Sequence, residues 1–189
     1  MRLREHDITL HGEAVRLRPM TEDDWGILLR WNSDPEVLYF SEGDTVDAYT
    51  LPEVQDIYRG VSQQAFCFVI EAAGALIGEG WLQHMNLDRV LRRYPGKDCR
   101  RVDLMIGEKK LWGHGLGTDV IRTLTRFGFE QEQADAIFGC DIADYNPRSL
   151  RAFQRVGFRF DATHPQPSGA KAHIVTDVVM LREEWPGRA

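Results

Sequence analysis

Residues 113–117 read Gly-His-Gly-Leu-Gly, three glycines in five positions at the mouth of an amphipathic run that continues to Phe129. Glycine tolerates positive φ and lets the main chain approach a ligand closely. The first N–H groups of a helix lack internal partners and, with the helix dipole, favour an anion. The turn is therefore either a tight strand-to-helix connection or a cradle for a phosphate. It is not a P-loop, because no lysine precedes Thr118, and its G-x-G-x-G spacing departs from the dinucleotide fingerprint.

Other chemistries are poorly supplied. Cys67, Cys99 and Cys140 are widely spaced, with no CxxC and no Cys/His spacing of the zinc type, so neither a metal nor a structural disulfide is expected. Cys67 and Cys140 fall in apolar, strand-like runs and read as small buried hydrophobes, whereas Cys99 falls in a polar loop. The formal net charge of -6 argues against binding nucleic acid by phosphate neutralisation. It suits a cationic substrate, and equally suits mere solubility. No segment approaches the ~18 apolar residues of a membrane span, and the charged N-terminus lacks a signal-peptide core. The expectation is a cytoplasmic protein with no membrane partner, monomeric or homodimeric.

The elements that must position the glycine turn follow from periodicity. Residues 9–20 alternate around Val15 and Leu17 as a strand or hairpin. Thr21 with Asp24 resembles a capping box, and Trp25, Leu28 and Leu29 share helical spacing behind it. "PEVLYF" predicts a further turn or two, and residues 51–61 a helix with Pro52 in its first turn. "AFCFVIEA" and "ALIGEGWLQ" flank Ala73-Gly74 as a hairpin. Residues 84–99 are polar and basic, with at most one helical turn. "RRVDLMIGE" is a strand, residues 118–130 a helix, "AIFGCDI" a strand, "NPRSLRAFQRV" a helix, and two strands close the chain. This order predicts one mixed α/β (α+β) domain over residues 1–189. Its central sheet has six to seven mostly antiparallel strands flanked by about four helices, and a right-handed crossover makes one strand pair parallel.

The segment Asn146-Pro147-Arg148-Ser149-Leu150, continuing through Phe153 and Arg155 to Gly157-Phe158, resembles the Asn-x-x-Ala-Ile-x-x-Tyr-x-Lys-x-Gly-Phe signature of the GCN5-related N-acetyltransferases. Upstream, residues 112–117 resemble that family's Arg/Gln-x-x-Gly-x-Gly/Ala loop, with Trp112 in the Arg/Gln place. The resemblance covers the order of elements from about residue 8 to residue 182. It implies acetyl-CoA as cosubstrate. The main-chain N–H groups of Trp112, Gly113, His114, Gly115, Leu116, Gly117 and Thr118 would hold its pyrophosphate. His114 would add a donor or stay in solvent. Leu104, Met105 and Ile106 would pair with the pantetheine arm as with an added strand. Asn146 would cap the following helix and reach the pantetheine end. Phe153 stands where the family commonly has a tyrosine that protonates the leaving thiolate. It is either a core residue or the sign that another group or a water does this, or that the thiolate leaves unaided.

The resemblance also implies where the amine is received. Asp103 would face the reaction centre as general base, or else be an edge carboxylate paired with Arg100 or Arg101. An N–H of Leu104 or Met105 would meet the charge developing on the carbonyl oxygen. "RRVDLMIGEKKLWGHGLGT" is similar to the corresponding segment of aminoglycoside 6′-N-acetyltransferases. In that group a second aspartate precedes the motif Asn by five residues, the place of Asp141, which would anchor substrate ammonium groups. Tyr39 and Phe40 would form an aromatic platform for sugar rings. Glu79 and Asp177 read as solvated strand residues. Arg89, Arg92, Arg93 and Lys97 could approach CoA phosphates or lie in solvent, and are awkward for a polycationic substrate. The expected acceptor is thus a small cationic primary amine, first an aminoglycoside 6′-amine, which would mean antibiotic resistance. The same layout also occurs in ribosomal-protein N-terminal and siderophore-building acetyltransferases, and Phe153 keeps a non-catalytic acyl-CoA-binding role open.

Overall fold

The computed structural model describes residues 1–187; Arg188 and Ala189, at the end of the expected domain, lie outside the described residues. In chain order the elements are β1 (Leu10–His11), β2 (Val15–Pro19), α1 (Trp25–Trp31), α2 (Pro35–Ser41), α3 (Leu51–Ser62), β3 (Ala65–Ala72), β4 (Ala75–His84), α4 (Asp88–Arg93), β5 (Cys99–Ile106), α5 (Leu116–Glu130), β6 (Ala136–Ala143), α6 (Pro147–Val156), β7 (Arg159–Pro165) and β8 (Ile174–Leu181). The strands form one sheet in the order β1-β2-β3-β4-β5-β6-β8-β7. Every pairing is antiparallel except β5 with β6, the expected crossover pair.

The described residues hold eight strands and six α-helices, more than the sequence suggests. The difference lies in short elements such as β1, with two residues, and α4, with six. These are too brief to show a period, and tertiary contacts hold them. Local signals elsewhere act as expected. Thr21 N–H donates to Asp24 Oδ2 at 2.9 Å. Ala73 and Gly74, at φ 48° and 77°, make the two-residue turn between β3 and β4.

The sheet is covered on both faces. Alternation sends Phe68, Ile70, Leu82 and Val102 towards α5 and α6, and sends Cys67, Val69 and Met105 towards α1, α2 and α3. Asp103 and Met105 therefore share one face, and Leu104 and Ile106 the other. The three cysteines are free thiols. Cys99 is 4% exposed at the start of β5, not in a polar loop. Its neighbours Met85, Val90 and Phe138 form a small apolar cluster under α4, which polar flanking sequence conceals.

One contact combines core and site. Phe153 is 2% exposed, meets Phe158 edge to face at 5.0 Å between centroids, and lies directly over Gly139. A Cβ at Gly139 would stand 2.6–2.9 Å from the Phe153 ring. The ring is held on its other side and cannot retreat freely. We expect Gly139→Ala to destabilise the protein by about 1–3 kcal/mol through overpacking, read as a lower urea midpoint with unchanged slope.

Candidate active site

The site begins where β5 and β6 part. Their parallel pairing covers only Cys99, Arg100 and Arg101 against Ala136, Ile137 and Phe138. On its other side β5 stays paired with β4 as far as Ile106. β6 meanwhile shifts register between Gly139 and Ile142, with Asp141 at φ 55°. The β6-facing edge of Leu104, Met105 and Ile106 is left without a strand. It lines a cleft of ≈ 380 Å³.

The glycine turn closes one end of this cleft. Gly113 and Gly115 adopt φ of 82° and 85°, a left-handed region that disfavours other residues. Gly115 is the N-cap of α5, and the first helical bond runs from Asp119 N to Gly115 O at 3.1 Å. The N–H groups of Leu116, Gly117 and Thr118 consequently have no intrahelical acceptor. Trp112 donates from Nε1 to Ile106 O at 2.7 Å and ties the turn to the end of β5. His114 is exposed, its ring nitrogen 3.1 Å from Trp112 O.

The opposite wall contains residues to which motif reading gave no site role. Arg148, Arg151 and Arg155 of α6 all line the cleft. Their i, i+3, i+7 spacing was the available signal. Arg148 lies between two rings, 4.4 Å from the Phe40 centroid and 4.3 Å from that of Trp112. Asn146 caps α6, its Oδ1 accepting from Ser149 N at 3.3 Å, and its Nδ2 donates to Phe40 O at 3.1 Å.

Leu104, Phe40 and Asn146 also line a second, neighbouring cavity of ≈ 470 Å³. This second cavity carries the acidic candidates. Asp103 accepts from Arg101 Nη2 on Oδ1 at 2.6 Å, and from Arg101 Nε and Trp81 Nε1 on Oδ2 at 2.7 and 3.1 Å. Arg100 is instead paired with Asp98. Asp141 accepts on Oδ1 from Arg89 Nη2 at 2.7 Å. Thus Asp103 and Asp141 share one cavity, each beside a guanidinium.

Tyr39 and Phe40 do not lie side by side as a platform. Their rings meet edge to face, and Phe40 turns to Arg148 and Trp112. Tyr39 packs with Tyr145 around Lys171, whose Nζ is 4.6 and 4.9 Å from the two ring centroids and donates to Glu42 O at 2.9 Å. The end of α2 is thereby strapped to the start of α6 and to the loop before β8.

Neither Glu79 nor Asp177 is the solvated strand residue expected of its type. Glu79 is 4% exposed and its Oε2 has no partner. Burial, with the Asp103 and Glu42 carboxylates nearby, pushes its carboxyl well above the usual range. Asp177 is fully buried and accepts from Arg89 at 3.0 and 3.1 Å, from Arg93 at 3.3 Å and from the Asp141 N–H at 3.1 Å, with His164 Nε2 2.8 Å away. Burial alone would raise its pKa, but the Arg89, Asp141 and His164 hydrogen bonds outweigh it and hold the group at about 2. Of the basic cluster, Arg89 and Arg93 are therefore partners of acids on β6, β7 and β8, while Arg92 stays in solvent.

A parted parallel strand pair, with a helix N-terminus at its open end, defines a class of acyl-transferring folds. Residues 14–159 match the acetyltransferase (GNAT) domain family, and the chain belongs to that family of acetyltransferases. Aminoglycoside N(6')-acetyltransferase type 1 of Klebsiella pneumoniae is 25% identical over 173 residues, 89% of this chain and 85% of that protein. Among solved structures, AAC(6')-Ib in complex with ribostamycin and coenzyme A superposes with a TM-score of 0.76 at 22% identity, covering 91% of this chain and 96% of that one. Mycobacterium smegmatis RimJ in complex with CoA-disulfide gives a TM-score of 0.75 at 20% identity, covering 95% and 88%.

The Asp177 network has a pH consequence. Its folded pKa lies below the ordinary aspartate value, so its stabilisation is complete above about pH 4 and is lost as pH falls towards 2. The loss should be about 2 kcal/mol. Unfolding free energies measured from pH 7 to pH 2 should fall more steeply below pH 4 for the wild type than for Asp177→Asn.

Proposed function

We propose that the chain is an acetyl-CoA-dependent N-acetyltransferase acting on a primary amine of a small cationic acceptor, with an aminoglycoside 6′-amine the first candidate. The observation that carries this is the adjacency of two cavities that share Leu104 as a wall. One is walled by a free strand edge and a helix N-terminus, the other by Asp103 and Asp141. The residues present fit the cosubstrate: unpaired N–H groups at Leu116 to Thr118 suit a pyrophosphate. The edge of Leu104 to Ile106 suits an amide-bearing arm, and Arg148, Arg151 and Arg155 suit further phosphate charge. When bound, acetyl-CoA supplies the thioester whose acetyl group passes to nitrogen. Support for the acceptor comes from the Klebsiella relative, which matches along most of both chains. Such an activity would give resistance to aminoglycoside antibiotics.

In this reading Asp103 takes the proton from the acceptor amine, directly or through water. Arg101 and Trp81 fix its orientation, and Oδ1, with a single donor, keeps a lone pair for the ammonium. The N–H of Leu104 or Met105 would meet the carbonyl oxygen. Asp141 would anchor a further ammonium group. Phe153, packed on Gly139 and Phe158, has no proton to give the thiolate; a thiol of pKa about 8.5 is a tolerable leaving group.

Release of free thiol from acetyl-CoA, followed across aminoglycosides, N-terminal peptides and polyamines, tests the assignment. Turnover should be greater with aminosugar acceptors than with peptides or linear polyamines. Asp103→Asn should lower kcat by about 10²–10⁴ with the fold intact. Full activity in that variant would remove Asp103 as the base. Turnover confined to peptides would move the acceptor to protein N-termini, and CoA binding without turnover would indicate a non-catalytic role.

A further inference from the structure

The wall of the acceptor cavity is less acidic than its residue types suggest. Four of its carboxylates are Glu42, Asp44, Asp103 and Asp141. Each is near a cation of the chain itself. Arg101 forks onto Asp103. Arg89 donates to Asp141 Oδ1 at 2.7 Å. Lys171, held over Tyr39 and Tyr145, lies within the field of Glu42 and Asp44. Arg89 is shared between Asp141 and the ionised Asp177, so it offsets part of the Asp141 charge rather than all of it.

Arg89 differs from the other two cations in how it is held. Its Nε and Nη2 donate to Asp177 at 3.1 and 3.0 Å, independently of Asp141. Asp177 is fully buried and is further fixed by Arg93, His164 and the Asp141 N–H. The guanidinium is therefore anchored from behind and remains beside Asp141 whether or not a ligand is present. Asp141 itself is half-exposed, and its backbone N–H is held by Asp177. An incoming ammonium must share Asp141 with a fixed positive charge less than 3 Å from one of its oxygens.

We propose that Arg89 is a specificity-determining residue for the acceptor. By occupying Asp141 it selects, among acceptors with the same reacting amine, those carrying fewer additional ammonium groups. This rests on the amine-acetyltransferase assignment and narrows its acceptor. Arg89 does not touch the reacting atoms; it sets the charge that the far end of the acceptor meets. Aminoglycosides with several amines are accepted weakly as a result, and removing Arg89 opens the cavity to them.

The test compares 6-amino-6-deoxyglucose, with one amine, and kanamycin, with several, by calorimetric Kd in the presence of CoA and by kcat and KM. In Arg89→Gln, Kd and KM for kanamycin should fall about tenfold while those for the monoamine change less than about threefold, with kcat nearly constant. Arg89→Lys, which keeps the charge but loses the fork onto Asp177, should retain more of the wild-type preference than Arg89→Gln. An unchanged kanamycin-to-monoamine ratio in folded Arg89→Gln overturns the assignment. If that variant does not fold, the wild type decides. The salt dependence of kanamycin Kd should correspond to about one ion pair, and a slope of two or more overturns the role of Arg89. Absence of turnover with both acceptors, together with a shifted binding ratio, would count against acetyl transfer to these amines while leaving Arg89 as the selecting residue.

Discussion

The organisation of this protein depends on one interrupted strand pairing. β5 is bonded to β4 along its length, yet meets β6 at only three residues before the two diverge. A sheet interior normally satisfies both edges of each strand. Here the outer edge of Leu104 to Ile106 is left without a partner strand, and the divergence opens a cleft beside it. The glycine turn and α5 lie at one end of that gap and Asp103 lies at its apex. An anion-binding helix terminus, an unpaired strand edge and a carboxylate are brought into line by this one departure from regular pairing.

The divergence is held open by charge. β6 bulges at Asp141, whose N–H is bound by the buried Asp177. Asp177 in turn collects Arg89, Arg93 and His164 from α4 and β7. A carboxylate removed from water is costly unless paired and hydrogen-bonded, and this one is saturated. The short α4 is thereby fixed against the sheet although its own sequence has little helical pattern. On the far side, the end of α2 is tied down by Asn146, Tyr145 and Lys171 through main-chain carbonyls. Both walls of the acceptor cavity are thus anchored by polar contacts, while the apolar clusters hold the sheet and helices beneath them.

Glu79 stands apart from this economy of paired charges. It shares the Asp103 face of the sheet and has an oxygen with no partner. Burial and two neighbouring carboxylates push its carboxyl well above the usual range. Asp103 and Asp141 are each paired with an arginine, although the chain as a whole carries a net charge of -6.

The sequence alone carried the order of the main elements, the parallel crossover, the glycine turn at a helix mouth and the family motifs at 112–117 and 146–158. These are local: they depend on periods, caps and turns within one segment. It also marked Asp103 and Asp141 through their spacing from those motifs. Which arginine meets which acid was not legible. Arg89 and Asp177 are 88 positions apart in the chain; Asp177 read as a solvated charge and Arg89 as solvated or turned to CoA phosphates, and folding brought them together. Tyr39 and Phe40, adjacent in sequence, were separated in role because successive side chains of α2 point to different neighbours. Cys99 and Glu79 were buried by elements whose own sequences are polar. The sequence determined the order of elements and the family motifs because those signals are short-range. Only the tertiary structure decided which charges are paired around the cavity of Asp103 and Asp141, because electrostatic pairing is set by distance in space and by exclusion from water.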